Sequence, residues 1–166
     1  MSEIRILCAS DNHGNAQALL DLKQKYSDFD YFLHCGDSQV PAFLLDGWCA
    51  VQGNTDMPGC HPYQMVIPAG SHRIYLTHGN HELYGGFENL AVTGKANGCD
   101  IVCFGHTHIY ADTEVDGIRL LNPGSLRSNR DGTGPSYMII RISGDDVKAE
   151  RCSYQSSPLA KNRTIW

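Results

Sequence analysis

Charge, long apolar runs and paired cysteines are all scarce in this sequence. Only 19% of its 166 residues are charged, and the formal net charge is −5 with histidine neutral. An acidic chain is a poor partner for polyanions, so stable coating of nucleic acid and binding to an anionic membrane surface are disfavoured. No segment approaches the roughly 18 apolar residues of a membrane-spanning helix. We therefore expect no membrane partner.

The cysteines do not form a disulfide or metal-binding framework. There are seven of them, an odd number, and they include no CxxC pair. Several, such as Cys8 and Cys103, lie inside apolar runs, which is typical of reduced core thiols. The first residues also lack the basic stretch and apolar run of an export signal. These features together predict a cytoplasmic protein.

The length favours one domain over residues 1–166. A chain of this size buries about two-thirds of its unfolded surface, so it needs no disulfide or structural metal to fold. A metal site in this chain is therefore expected to be functional. The sequence leaves a monomer and a homo-oligomer both open.

Short apolar runs alternate with two helical stretches along most of the chain. Residues 15–26 carry apolar side chains at helical spacing with Asn15 as the N-cap, and a second helix is predicted at 86–96. The strands are predicted at 4–9, 29–35, 48–52, 64–67, 73–77 and 101–104. Two hairpins follow, at 109–121 and 137–152. The order predicts an α/β fold with two sheets, the first mixed and the second more antiparallel, with helices outside.

Polar, glycine-containing loops follow five of the predicted strands. Because such strand ends meet at one edge, we expect their side chains to converge there. The loops supply two carboxylates, one amide and four imidazoles: Asp11, His13, Asp37, Asn54, His78, His106 and His108. Seven potential ligands are too many for one ion. They suit two divalent cations about 3.5–4 Å apart, with Asp37 bridging them.

Such a pair of cations matches the chemistry of phosphate esters. It generates hydroxide from water, polarises the phosphoryl oxygens and stabilises the attacking and leaving oxygens in line. Two carboxylates also leave a local charge surplus of +2 beside two dications, which an anionic phosphate would neutralise. Carboxylate, amide and imidazole ligands without thiolate select no single metal. Mn²⁺ is the expected ion, with Ni²⁺, Mg²⁺, Zn²⁺ and Fe²⁺ as alternatives.

The ordered motifs resemble those of the calcineurin-like metallophosphoesterase superfamily, and in particular its small bacterial and archaeal phosphodiesterases. They are Asp11-x-His13, Gly36-Asp37, Gly53-Asn54, His78-Gly79, Gly105-His106-Thr107-His108 and Asn122-Pro123-Gly124-Ser125. The resemblance implies a four-layer α/β/β/α sandwich with two mixed sheets. It also implies two ligand sets, one of Asp11, His13, Asp37 and His108, and one of Asp37, Asn54, His78 and His106. Asp37, Asn54 and His106 are the predicted catalytic residues.

Two positions depart from related enzymes. The family's protein phosphatases have a histidine after the metal-binding asparagine, and that histidine is thought to protonate the leaving group. This sequence has Thr55 there, whose hydroxyl is a poor acid, and the change favours a phosphodiesterase. Purple acid phosphatases have a tyrosine where this sequence has Val40, which disfavours a tyrosinate-bound ferric ion.

Other polar residues near the motifs have two interpretations each. His34 is expected to be a hydrogen-bonded core histidine. Asp56 is expected to be a turn residue, or an acceptor that orients a ligand imidazole, rather than a catalytic group. His81 either contacts substrate or a metal ligand, or faces solvent. Arg127 and Arg130 either bind phosphate or are solvated. We assign His81 and Arg130 as candidate substrate contacts.

Two aromatic residues after the His78 motif are also ambiguous. Tyr84 and Phe87 either line a substrate cleft or form an interface.

The sequence predicts a dinuclear metal-dependent phosphodiesterase acting on a small phosphodiester. The alternatives are a phosphomonoesterase and a non-catalytic scaffold of the same fold, as in the retromer subunit that resembles this superfamily. The natural substrate is not specified by the sequence.

Overall fold

The computed structural model describes residues 2–156, which form two five-stranded sheets and two α-helices. The strands are β1 (Ile4–Ala9), β2 (Tyr31–His34), β3 (Cys49–Ala50), β4 (Gln64–Ala69), β5 (His72–Thr77), β6 (Ile101–Cys103), β7 (Ala111–Val115), β8 (Ile118–Asn122), β9 (Ser136–Ser143) and β10 (Asp146–Ser153). The helices are α1 (Ala16–Lys25) and α2 (Gly86–Ala96).

Both sheets are mixed. The first has the order β10-β9-β1-β2-β3 and the second the order β4-β5-β6-β8-β7. Three adjacent strands are parallel in each, β1-β2-β3 in the first and β5-β6-β8 in the second, and antiparallel strands flank them. The expectation that the second sheet is more antiparallel is therefore wrong. Strand β8 joins β6 in parallel, a pairing that its position in a hairpin with β7 does not reveal.

Alternate residues of β1 build two separate layers of core. Ile6 and Cys8 lie in the cluster between the sheets, whereas Leu7 and Ala9 pack beneath α1. Helix α2 covers the outer face of the second sheet in a third cluster around Leu90. The layers follow the order helix, sheet, sheet, helix, so the predicted four-layer sandwich is confirmed.

Most predicted elements are present with shifted ends. Asn15 caps α1, and its side chain accepts a hydrogen bond from Ala18 N at 3.3 Å. The predicted strand at 48–52 is shorter, because Gln52 N donates to Pro62 O at 2.8 Å and the chain leaves the sheet there. The strands predicted at 29–35 and 109–115 are likewise trimmed to β2 and β7.

Residues 2–156 contain no helix long and apolar enough to cross a membrane. All seven cysteines carry free thiols, as expected. The prediction of one domain over 1–166 includes residues 157–166, which lie outside the described residues.

Candidate metal centre

Backbone hydrogen bonds hold the predicted ligand loops against one another. Within the first sheet, Asp11 N donates to Gly36 O at 3.0 Å and His13 N donates to Asp37 O at 3.1 Å. Within the second, Gly105 N donates to His78 O at 3.0 Å. The three parallel strands of each sheet end at the same edge of the sandwich, so loops from both sheets meet there. The structure brings all seven predicted ligands to this edge.

Five of these residues adopt a left-handed backbone conformation. Their φ angles are +54° for Asp11, +42° for His13, +58° for Asp37, +71° for His106 and +57° for His108. A non-glycine residue in this region costs about 1–3 kcal/mol, and such strain clusters at functional sites. The surrounding hydrogen bonds therefore hold the loops in a shape that the residues do not prefer on their own.

The two oxygens of Asp11 have different surroundings. Oδ2 accepts hydrogen bonds from Ser10 Oγ at 2.5 Å and from His106 N at 3.1 Å. Oδ1 is buried and accepts no hydrogen bond from the described residues. It lies 3.2 Å from Nε2 of His108 and 3.6 Å from Nε2 of His13. The three side chains could together hold one cation.

The two carboxylate oxygens of Asp37 also have different surroundings. Its Oδ1 accepts a hydrogen bond from Thr55 N at 2.9 Å. Its Oδ2 lies 3.2 Å from Nε2 of His78 and 3.9 Å from Nε2 of His13. Asp37 thus faces both predicted ligand sets, as a bridging carboxylate would. Asp11 also belongs to a second possible group of ligands, with Asp37 and His78.

The remaining ligand candidates form a second group. Oδ1 of Asn54 lies 2.9 Å from Nε2 of His78 and 3.1 Å from Nδ1 of His106. Those two ring nitrogens are 3.3 Å apart. Asn54 is exposed, whereas His78 is buried. This group therefore forms the solvent side of the site, where a ligand would enter.

Three of the imidazoles are oriented by an oxygen acceptor at Nδ1. His78 donates from Nδ1 to Cys35 O at 2.7 Å, and His108 donates to Ser128 O at 3.0 Å. His13 donates to the side-chain oxygen of Gln39 at 2.7 Å. An imidazole that donates through Nδ1 presents a lone pair at Nε2, which is the form that binds metal.

Burial and charge shift the pKa values of the site in opposing directions. Burial raises the pKa of Asp11, but His108 and His13 outweigh it and hold that pKa well below its usual range. For Asp37, burial is likewise outweighed by His78, and the pKa is lowered. Burial lowers the pKa of His106, and the nearby charge of His78 adds to this effect. The carboxylates are therefore ionised at neutral pH.

This donor set fits divalent cations. Nε2 of His13 and Nε2 of His108 are 3.1 Å apart, and both face Oδ1 of Asp11, which accepts no hydrogen bond within residues 2–156. Lone pairs that converge at such distances repel unless a proton or a cation lies between them. Oxygen and nitrogen donors without thiolate suit Mn²⁺, Zn²⁺ and similar ions.

Sequence reasoning missed the residues that brace the loops. Gln39 orients His13, as described above. Ser125 donates its hydroxyl to Asp11 O at 2.7 Å, and Asn122 donates to Gly105 O at 3.1 Å. Asn122 and Ser125 belong to the sixth motif, so the motif itself was the available signal. Gln39 could not be identified from the sequence, because it contacts His13 from 26 positions away and its backbone has a left-handed φ of +52°.

Asp56 and His34 both have structural roles. Asp56 accepts hydrogen bonds from the backbone N–H groups of Asp37 and Gly53, each at 2.8 Å, so of the two roles expected for it the structure shows that of a turn acceptor. His34 is fully buried, with Nε2 2.7 Å from Asn12 Oδ1. Burial lowers the pKa of His34 to about 4. The core interpretation of His34 is therefore confirmed.

A cleft of about 350 Å³ adjoins the solvent side of the site. It is lined by Asn54, Asn80, His81, Leu83, Tyr84 and His106. We call it the His81 cleft. His81 and Tyr84 are exposed within it, and Tyr84 has 92% of its surface accessible. Tyr84 thus lines a cleft.

Phe87 and the two arginines lie outside that cleft. Phe87 packs edge-on against Phe104 in the core, with ring centroids 5.6 Å apart. Arg127 donates from Nη1 to His13 O at 3.0 Å, so it braces a ligand loop. Arg130 is exposed, and its N–H donates to His108 O at 2.9 Å. The charge of Arg130 also acts on His106.

Comparisons with known proteins agree with the motifs. The family model of the calcineurin-like phosphoesterase superfamily domain matches residues 4–145. The probable metallophosphoesterase YsnB of Bacillus subtilis is 32% identical over 148 residues, which cover 86% of each protein. The crystal structure of a predicted phosphoesterase from Streptococcus pneumoniae matches with a TM-score of 0.86 and 26% identity, covering 95% of each chain.

The fold is also similar to a protein of a different name. Wild-type Vps29 from Entamoeba histolytica, whose structure was solved in complex with Zn²⁺, has a TM-score of 0.70 and 26% identity. The match covers 92% of this chain and 100% of that one. Because the family model matches residues 4–145, the family resemblance of the motifs is confirmed. The chain belongs to the calcineurin-like phosphoesterase superfamily.

Proposed function

We propose that this protein is a dinuclear metal-dependent phosphodiesterase. The observation that carries the proposal is the pair of buried carboxylates, Asp11 and Asp37, each with one oxygen held by the protein and one facing imidazole nitrogens. This arrangement supports two adjoining cation positions. Bound there, divalent cations would supply a hydroxide nucleophile at neutral pH and draw charge from the phosphoryl oxygens.

Individual residues of the chain have separate proposed roles. We propose that Asp37 bridges the two positions and fixes their separation, while Asn54 and His106 orient the phosphate at the solvent side. His81 and Arg130, both exposed near His106, are the proposed substrate contacts. Thr55 occupies the place of the phosphatases' histidine, and both its backbone N–H and its side chain hydrogen-bond to Asp37. A diester with a good leaving group needs no strong acid there.

We also propose Mn²⁺ as the working ion, a small phosphodiester as substrate and the cytoplasm as the place of action. The proposed domain comprises residues 1–166. Fully loaded, two dications would change the formal charge from −5 to about −1. The acidity of the chain therefore agrees with a metal-loaded form that accepts an anionic substrate.

Hydrolysis of an aryl phosphodiester by the purified protein with two equivalents of Mn²⁺ tests this function. We expect Asp37→Asn to lower kcat/KM by about 100-fold or more, because the bridging charge is lost. Asp145→Asn, which changes an exposed carboxylate in the turn between β9 and β10, is the matched control. An intact diester with wild-type protein and Mn²⁺ would rule out the proposal.

Two alternatives are separated by the same assay. A phosphomonoesterase would hydrolyse the aryl monoester faster than the diester under one metal. The similarity to Vps29 favours the second alternative, a scaffold without catalysis. A scaffold would stay inactive with Mn²⁺ added. The competent side chains at all seven ligand positions favour the enzyme, because a site without catalytic use has no need of strained ligand loops.

A further inference from the structure

A second cleft, which we call the Met57 cleft, lies beside the candidate metal centre. Its volume is about 480 Å³. Its wall is formed chiefly by two short segments, the residues after Asp37 and the residues after Asn54. They include Gln39, Val40, Pro41, Ala42, Thr55 and Met57.

Two residues join this cleft to the ligand loops. Gln39 accepts the Nδ1 hydrogen bond of His13 at 2.7 Å, and Thr55 N donates to Asp37 Oδ1 at 2.9 Å. Asn54 lines the His81 cleft, whereas its neighbour Thr55 lines the Met57 cleft. The two clefts therefore adjoin the metal centre on either side of one loop.

The linings of the two clefts differ in chemistry. The His81 cleft presents, beside Leu83 and Tyr84, two imidazoles and two amides, which can hydrogen-bond a developing alkoxide or phenoxide. The Met57 cleft presents the carbon surfaces of Val40, Pro41 and Ala42, together with the thioether of Met57. Met57 has 79% of its surface exposed, which is a high value for a large apolar side chain. An apolar group bound there would cover surface that is otherwise in contact with water.

A phosphodiester has two ester groups with different needs. During hydrolysis an oxygen from water bonds to phosphorus and the bond from phosphorus to the leaving oxygen breaks. The proton lost by the water passes to the leaving oxygen or, for a weakly basic phenolate, to solvent, and the retained ester group stays on the phosphate as a monoester. Of the two ester oxygens, only the leaving one gains negative charge and needs hydrogen-bond donors. The His81 cleft has the hydrogen-bonding groups that suit the leaving oxygen, and the more apolar Met57 cleft suits the retained group.

We propose that the Met57 cleft binds the retained ester group of the substrate, and that this group is aryl or of similar flat, apolar character. The inference rests on the proposed phosphodiesterase function and deepens it by naming a substrate class. Each cleft then takes one ester group, and the phosphate lies between them at the ligand loops.

Two substrates that share a leaving group test the inference. Methyl p-nitrophenyl phosphate and phenyl p-nitrophenyl phosphate both release p-nitrophenolate, so only the retained group differs. We expect wild-type kcat/KM to be about tenfold or more higher for the phenyl ester, because its ring covers apolar surface in the cleft. Met57→Ser should lower this ratio towards one by removing the thioether wall. Ala42→Phe should lower it by filling the cleft.

Val92→Ser is the matched control, because Val92 is 59% exposed on α2 and lines neither cleft. Its ratio should equal that of the wild type. A wild-type ratio near one, a ratio unchanged in Met57→Ser and Ala42→Phe, or an equal loss for both esters would overturn the inference, while hydrolysis of the diesters would still support the proposed function. Failure of the wild type to hydrolyse either diester would overturn both.

Discussion

Replacing Gly53 by alanine tests whether the close approach of two ligand loops is essential. Gly53 lies against Asp37, the proposed bridging carboxylate. A Cβ atom added at position 53 would lie 2.8 Å from Cγ of Asp37 and would also clash with its Oδ1 and backbone N. Because a backbone atom is among those met, rotation of the side chain alone does not relieve the clash.

The size of the effect follows from these contacts. Ordinary van der Waals contact begins at 3.4 Å, so the carboxylate carbon must move by at least about 0.6 Å, and Oδ1 and the backbone N, which lie nearer, must move farther. Overpacking of this kind costs about 1–3 kcal/mol of unfolding free energy. A ligand displaced by a sizeable fraction of an ångström can lower catalysis by about 100-fold. We therefore expect a modest loss of stability and a much larger loss of activity.

Two measurements on the same variants check this expectation. Urea unfolding in EDTA gives the stability of the metal-free protein, and aryl diester hydrolysis with Mn²⁺ gives kcat/KM. Gly134→Ala is the control, because a Cβ there meets no atom within 4 Å and should change neither quantity. If Gly53→Ala kept wild-type kcat/KM, the reasoning that this approach positions Asp37 would be refuted.

Two further predictions concern buried and exposed rings. The pKa of His34 is about 4 in the fold against 6.5 in the unfolded chain, so its contribution to stability is intact above pH 6.5 and is lost as the pH falls to about 4. The full loss is about 3 kcal/mol. The difference in unfolding free energy between wild type and His34→Gln, measured in EDTA, should shrink by that amount between pH 7 and pH 4, and a constant difference would contradict the prediction. Phe87→Ala should cost about 2 kcal/mol because it removes the ring that packs on Phe104, whereas Tyr84→Ala should cost less than about 0.5 kcal/mol, and equal losses in urea unfolding would contradict these assignments.

Much of the site could be predicted because strand ends and ligand-type residues coincide in the sequence. His78 and the loop of His106 and His108 each follow a buried parallel strand directly, so the position of the strand determines the position of the side chain. The order of the layers was predictable because consecutive residues of β1, such as Ile6 and Leu7, are apolar, so both faces of the strand are covered.

The bracing of the site could not be predicted, because it depends on backbone conformation and on distant contacts. Gln39 reaches His13 across 26 positions of sequence, and Ser125 reaches Asp11 across 114. For Asp56 the sequence left two roles open, that of a turn residue and that of an acceptor that orients a ligand imidazole. Its oxygens accept the backbone N–H groups of Asp37, Gln39 and Gly53, and the first two belong to a loop 17–19 positions away. Local propensity contains no information on such contacts.

The pairing of β1 with β9 has a consequence for synthesis on the ribosome. Ile6 of β1 lies opposite Ile140 of β9, so the first strand stays at an open sheet edge until most of the chain has been made. The loop that begins at Asp11 also lacks its contact with Ser125 until then. We expect nascent chains that end before β9 to expose an unpaired, apolar strand and to depend on chaperones. The chain would then become able to bind metal late in synthesis, after β9 has paired with β1.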